Sequence, residues 1–129
     1  MERLVLDTDV VSRFVQGRLP EELTGALRGK ILLIAFVTVG ELYKGAYQAG
    51  WGRRRLDALE AWLHLYTILP YDEEVARVWG EVSARGARSG RSVAPNDAWI
   101  AACCLAAEYP LMTLNHRHFE SIEGITLAP

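Results

Sequence analysis

The chain has 129 residues, half of them hydrophobic and 23% charged, with a formal net charge of −2. That length suits a single domain over residues 1–129 with a core of its own. The slight acidity argues against an indiscriminate polyanion binder, which carries a basic excess, and the longest uncharged runs, residues 31–40 and 98–107, are too short to span a bilayer.

Residues 3–6 (RLVL) read as a strand, followed by Asp7-Thr8-Asp9 and by Val10, Val11, Phe14 and Val15 at helical spacing, with Gly17 as a stop. A short helical piece over 21–28 follows Pro20. Residues 31–35 (ILLIA) form the continuous apolar run of a strand covered on both faces. Thr38-Val39-Gly40-Glu41 opens a helix ending near Gly50, and residues 53–66 carry Leu56, Leu59, Leu63 and Tyr66 at steps of three and four. Residues 67–69 give a third strand. Asp72 then caps a helix with Val75, Val78, Trp79 and Val82 on one face. That helix is expected to dissolve into a basic loop over 85–92 holding Arg85, Arg88 and Arg91. A very apolar helix opens at Pro95-Asn96-Asp97, and strands are expected over 111–113 and 125–127.

Met1-Glu2-Arg3 leads directly into the first strand, without the apolar core of a signal peptide. The only cysteines, Cys103 and Cys104, are adjacent on the apolar helix. Neighbours on a helix point about 100° apart, so they read as core thiols in a reducing compartment. The expectation is a soluble cytoplasmic protein.

Strands alternating with helices predict an α/β domain with a mainly parallel sheet. Ligands of such sheets bind at the edge where the strands end. Asp7 and Asn115 follow strands, Glu41 lies one turn into a helix after a strand, and Asp97 opens its own helix. Each acid has a structural role open to it: Asp7 as a cap, Glu41 in a capping box with Thr38, Asp97 as complement to a helix dipole. Together at one edge they would repel and raise one another's pKa values. Hard divalent ions relieve that repulsion, since an oxygen cage suits Mg²⁺ or Mn²⁺. Such ions activate water and stabilise charge on a phosphoryl oxygen, which points to phosphodiester hydrolysis.

Four stretches in order, LDTDVVS, VTVGELYKG, APNDAWIAA and LMTLNHRHFESIEGITL, resemble the PIN-domain family, specifically its VapC-type toxin ribonucleases, over almost the whole chain. The resemblance implies a three-layer α/β/α, Rossmann-like fold with a mainly parallel sheet of four to five strands. It places Asp7, Glu41 and Asp97 on the family's metal-binding acids and Thr8 and Thr113 on its hydroxyl positions. Asn115 falls on a fourth position that is often Asp, and Asp9 on one that is often Asn. The implied cofactor is Mg²⁺ or Mn²⁺, one or two ions. A neutral amide at 115 binds metal only through its carbonyl oxygen, so a second ion would be weakly held. The implied reaction is in-line attack of a metal-bound water on an RNA phosphodiester, leaving 3′-hydroxyl and 5′-phosphate ends. The implied partners are a cognate VapB-type antitoxin and a second copy of the chain.

Arg85, Arg88, Arg91, Arg117 and Lys44 are the candidates for RNA contacts. His116 and His118 offer an HxH metal site, though no Cys or third His lies nearby in sequence to complete it. Tyr43, Tyr47, Trp51, Leu23 and Leu27 are apolar residues for either the core or an interface. Two other readings stand beside this one. A non-catalytic RNA- or partner-binding module is compatible with Asn115. Leu6-Asp7-Thr8-Asp9 also resembles the DxD signature of haloacid-dehalogenase-type phosphatases, but Val11 replaces their hydroxyl residue and no GDxxxD stretch follows.

Overall fold

A computed structural model describes all residues, 1–129. Strands β1 (Arg3–Leu6), β2 (Ile31–Ala35), β3 (Thr67–Leu69) and β4 (Leu111–Met112) form one parallel sheet in the order β3-β2-β1-β4. The helices are α1 (Thr8–Val15), α2 (Glu21–Leu27), α3 (Phe36–Gln48), α4 (Arg53–Leu63), α5 (Glu73–Ser89), α6 (Pro95–Ala107) and the single turn α7 (His116–Phe119). No helix is long and apolar enough to cross a membrane.

Side chains alternate across a strand, and that alternation builds two cores. Val5, Leu33, Ala35 and Leu111 face one side and pack with α5, α6 and Phe119. Leu4, Leu6, Ile34 and Met112 face the other and pack with residues of α1, α2, α3 and α4. Helices therefore cover both faces, giving the expected three layers. The helix α6 buries most of its middle: Ala98, Ile100, Ala101, Ala102, Cys103 and Cys104 are all buried, whereas Pro95 and Asn96 at its start are exposed. Burial pushes the thiol of Cys103 up to about 11 and that of Cys104 higher still, and both cysteines are free.

Several expectations need correction. Residues 125–127 form no strand: Leu127 makes an isolated parallel bridge to Leu111. Only Leu111 N–H to Thr126 C=O and Ala128 N–H to Leu111 C=O tie this tail to the sheet. The basic stretch 85–92 is not a loop over most of its length. Helix α5 continues through Gly86 to Ser89 and stops at Gly90, whose φ of 76° is the left-handed conformation of a helix end. Gly86 is there for a close approach, since a Cβ on it would lie 2.9 Å from the carbonyl oxygen of Arg91. Helix α3 begins at Phe36 rather than Thr38, with Ala35 as N-cap, so Thr38 and Glu41 form no capping box. Of the apolar group near the early helices, Leu27 is core, whereas Tyr47 is 64% exposed and stacks on Tyr43.

Candidate metal centre

Right-handed crossovers bring the C-terminal ends of all four strands to one edge, and the acids meet there. Asp7, directly after β1, caps α1 and is only 5% exposed. Its Oδ1 accepts from the Thr8 N–H at 2.8 Å and its Oδ2 from the Thr113 hydroxyl at 2.7 Å. The cap that the sequence allowed for Asp7 is thus present, in a residue that is also buried. Thr113 also accepts from the Asn115 N–H at 3.0 Å, which fixes the backbone beyond β4.

Glu41 reaches the same edge from α3. The Thr8 hydroxyl donates to its Oε1 at 2.6 Å and lies 3.0 Å from the Thr38 hydroxyl. A hydroxyl has one proton, so Thr38 must donate to Thr8, forming a relay Thr38–Thr8–Glu41. Asn96 Nδ2 holds the other oxygen of Glu41 at 3.2 Å. Asp97, in the first turn of α6, has its Oδ2 3.2 Å from His118 Nδ1. Asn115 Nδ2 donates to Asp9 Oδ2 at 2.7 Å.

Burial first, and neighbouring carboxylates second, raise two of these acids. Burial pushes Asp7 up to about 7; the Thr113 hydrogen bond opposes this, while Asp9 and Asp97 add to it. Asp97 is also raised, chiefly by burial, with Glu41 and Asp9 contributing and His118 opposing. As placed, no three acid, histidine or cysteine side chains stand close enough to close around one ion. Their oxygens are instead held apart on Thr8, Thr113, Asn96 and His118. The donor set is nonetheless what a hard dication takes: carboxylate oxygens at a strand edge, raised in pKa by burial and by one another.

Thr8 donates to Glu41 and Thr113 to Asp7, so each hydroxyl is bonded to an acid. Arg91 and Arg117 line a cavity with Asp97. Arg85 does not join them; it pairs with Glu123. Arg88, in the last turn of α5, and Lys44, on α3, are exposed. Thr38, Asn96 and His118 enter the network without having been singled out for it. Thr38 lies three residues before Glu41 on one helix, a spacing that puts both on one face, and this is a signal the sequence carried.

The PIN domain pattern matches residues 4–125. The chain is 31% identical over 125 residues to Ribonuclease VapC2 of Haemophilus influenzae, covering 95% of this chain and 93% of the relative. It is 30% identical over 127 residues to the tRNA(fMet)-specific endonuclease VapC of Shigella flexneri, covering 97% and 96%. Among solved structures it resembles one from DNA-bound VapBC of Salmonella typhimurium, with a TM-score of 0.87, 28% identity and coverage of 99% and 98%. A parallel four-stranded sheet, an acid-lined edge and these full-length matches agree: the chain belongs to the PIN-domain family, among the VapC ribonucleases.

Proposed function

We propose that this chain is the toxin of a toxin–antitoxin pair, an endoribonuclease whose Asp7, Glu41 and Asp97 hold a Mg²⁺ or Mn²⁺ ion. The observation that carries the reading is that these three acids, from the end of β1, from α3 and from the first turn of α6, stand along one sheet edge where burial and neighbouring carboxylates raise Asp7 and Asp97. A bound dication there supplies an activated water and offsets charge building on a phosphoryl oxygen. Thr113 and the Thr8 N–H fix the carboxylate of Asp7, and the Thr38–Thr8 relay fixes Glu41. Asn115, with its amide given to Asp9, keeps its carbonyl oxygen for the site. Asn115 is neutral, so a second ion is held less firmly than the first. Arg91 and Arg117 bind the RNA backbone beside Asp97.

A VapB-type antitoxin is the partner proposed by similarity to proteins solved as VapBC complexes, and a second copy of the chain is the partner the family resemblance implies. The phosphatase reading has less support, because Val11, where that signature needs a hydroxyl, is fully buried in the core. The test is cleavage of RNA by the purified protein with Mg²⁺ or Mn²⁺ and with EDTA. Cleavage that needs the ion and disappears in Asp97→Asn, with an unchanged circular dichroism spectrum, supports the reading. Full activity in that variant overturns the metal-site assignment. RNA binding without cleavage favours the non-catalytic module instead.

A further inference from the structure

The three acids of the edge are not held alike. Asp7 accepts from two donors, the Thr8 N–H and the Thr113 hydroxyl. Glu41 also accepts from two, the Thr8 hydroxyl and Asn96 Nδ2. The one polar side chain paired with Asp97 is His118, whose Nδ1 lies 3.2 Å from Oδ2. No side chain caps α6, whose N-cap is Ala94 and whose first residue is Pro95, so the turn that carries Asp97 has no polar cap to steady it. A carboxylate on such a turn keeps its rotamer freedom unless a neighbouring side chain removes it.

The backbone brings His118 to that position. It stands on α7, a single turn that the fully buried Phe119 pins into the core. The His118 N–H donates to the Asn115 carbonyl at 3.0 Å, and the Glu120 N–H to the His116 carbonyl at 2.9 Å. Phe119 packs in the same core as Ile100 and Cys103 of α6, so packing sets the spacing between the turn and the helix. The His118 side chain itself stays 56% exposed and lines the cavity beside Asp97. An ionised carboxylate only accepts, so the ring nitrogen facing it carries the proton, and a neutral ring with Nδ1–H is enough. A donor on Oδ2 leaves Oδ1 free, and groups that hold a ligating carboxylate in this way strengthen its grip on a metal.

We propose that His118 is a positioning residue of the metal centre: its Nδ1–H holds Asp97 Oδ2 and leaves Oδ1 for the ion. This rests on Asp97 being a metal ligand, as proposed above, and adds to it a residue that acts through Asp97 without touching the ion. A ligand role for the ring has less support, because no three acid, histidine or cysteine side chains stand around one point.

The test is calorimetric titration of the full-length protein with Mn²⁺, at one fixed pH and without RNA. His118→Ala and His118→Leu remove the donor and are expected to weaken binding about tenfold. In His118→Asn the amide nitrogen stands close to where Nδ1 stood, and this variant is expected to bind nearly as wild type does. All three are expected to keep the wild-type melting temperature in EDTA, because the side chain is exposed. RNA cleavage by His118→Ala is expected to fall at low Mn²⁺ and to recover at saturating Mn²⁺, whereas Asp97→Asn stays inactive at both. If His118→Ala unfolds, His118→Leu carries the comparison. Wild-type affinity in the folded alanine or leucine variant overturns the proposal and leaves the metal-site reading standing. An equal loss in His118→Asn, or the same loss in His116→Ala, makes the imidazole a ligand and also overturns it. A wild type that binds no Mn²⁺ overturns the metal-site reading, and this proposal with it.

Discussion

The Asn115 amide donates to Asp9 at 2.7 Å across 106 residues of chain. One residue supplies an amide and the other a carboxylate, and the hydrogen bond joins them directly. Asp9 is tied to the same loop a second time, by the Leu114 N–H at 3.5 Å.

Reversing one member of this pair should be costly. Asn115→Asp sets a second carboxylate against Asp9 and removes the donor, so it should cost on the order of 1 kcal/mol in EDTA. Mg²⁺ or Mn²⁺ should recover part of the loss. The double variant Asp9→Asn/Asn115→Asp restores one donor and one acceptor and should melt near wild type. A double variant no more stable than the single in thermal unfolding refutes the pairing.

The Thr113 hydroxyl is the donor to Asp7 Oδ2. Thr113→Val keeps the shape and leaves that buried oxygen unsatisfied, which should cost about 1–3 kcal/mol in urea unfolding. It should also raise Asp7 further, so Mn²⁺ binding measured by calorimetry should weaken at neutral pH and recover toward higher pH. Unchanged binding would remove Thr113 from the site.

Stability should depend on pH through Asp7. Its folded value, about 7, lies above the ordinary 3.8, chiefly through burial. The folded chain therefore binds this proton more tightly than the unfolded chain does. In EDTA the protein should lose stability as pH rises from about 4 to about 7, by an amount on the order of 4 kcal/mol. Asp97 acts in the same direction. Asp7→Asn should flatten the profile, and Mg²⁺ should oppose the loss because it binds the ionised form. Wild-type stability rising over that pH range in EDTA would contradict the burial argument.

Two glycines of α5 should respond with opposite signs. A Cβ on Gly80 meets nothing within 4 Å, so Gly80→Ala should stabilise by about 0.5–1 kcal/mol. On Gly86 it would lie 2.9 Å from the Arg91 carbonyl oxygen. Overpacking of that kind costs about 1–3 kcal/mol, so Gly86→Ala should destabilise. It should also weaken RNA binding, because Arg91 must shift. The paired melting temperatures decide the matter.

Much of the architecture is legible from short-range chemistry. The apolar runs at 3–6 and 31–35 are strands, and Asp72 caps α5 by accepting from the Val75 N–H at 2.8 Å, as its position suggests. What escapes the sequence is set by contacts between distant segments. Gly86 reads as a helix breaker, and only the fold over Arg91 reveals it as a packing position. Arg85 reads as a free cation until Glu123, 38 residues away, is seen to hold it. His118 reads as half of an HxH metal site with His116, but α7 turns it onto Asp97. The acids at the edge are foreseen from the alternation of strands with helices and the family resemblance together; their hydrogen-bond partners are not.

The bond between Asp7 and Thr113 spans 106 residues, and β4, which carries Thr113 to it, pairs with β1 through Val5–Leu111 and Leu6–Met112. During synthesis the first acid emerges early and its partner near the very end. A ribosome-bound or truncated chain lacking β4 leaves Asp7 without that donor and leaves one flank of β1 unpaired. The acid-lined edge is therefore completed last, when nearly the whole polypeptide is free to fold. An incomplete copy should be harmless to the cell that is making it.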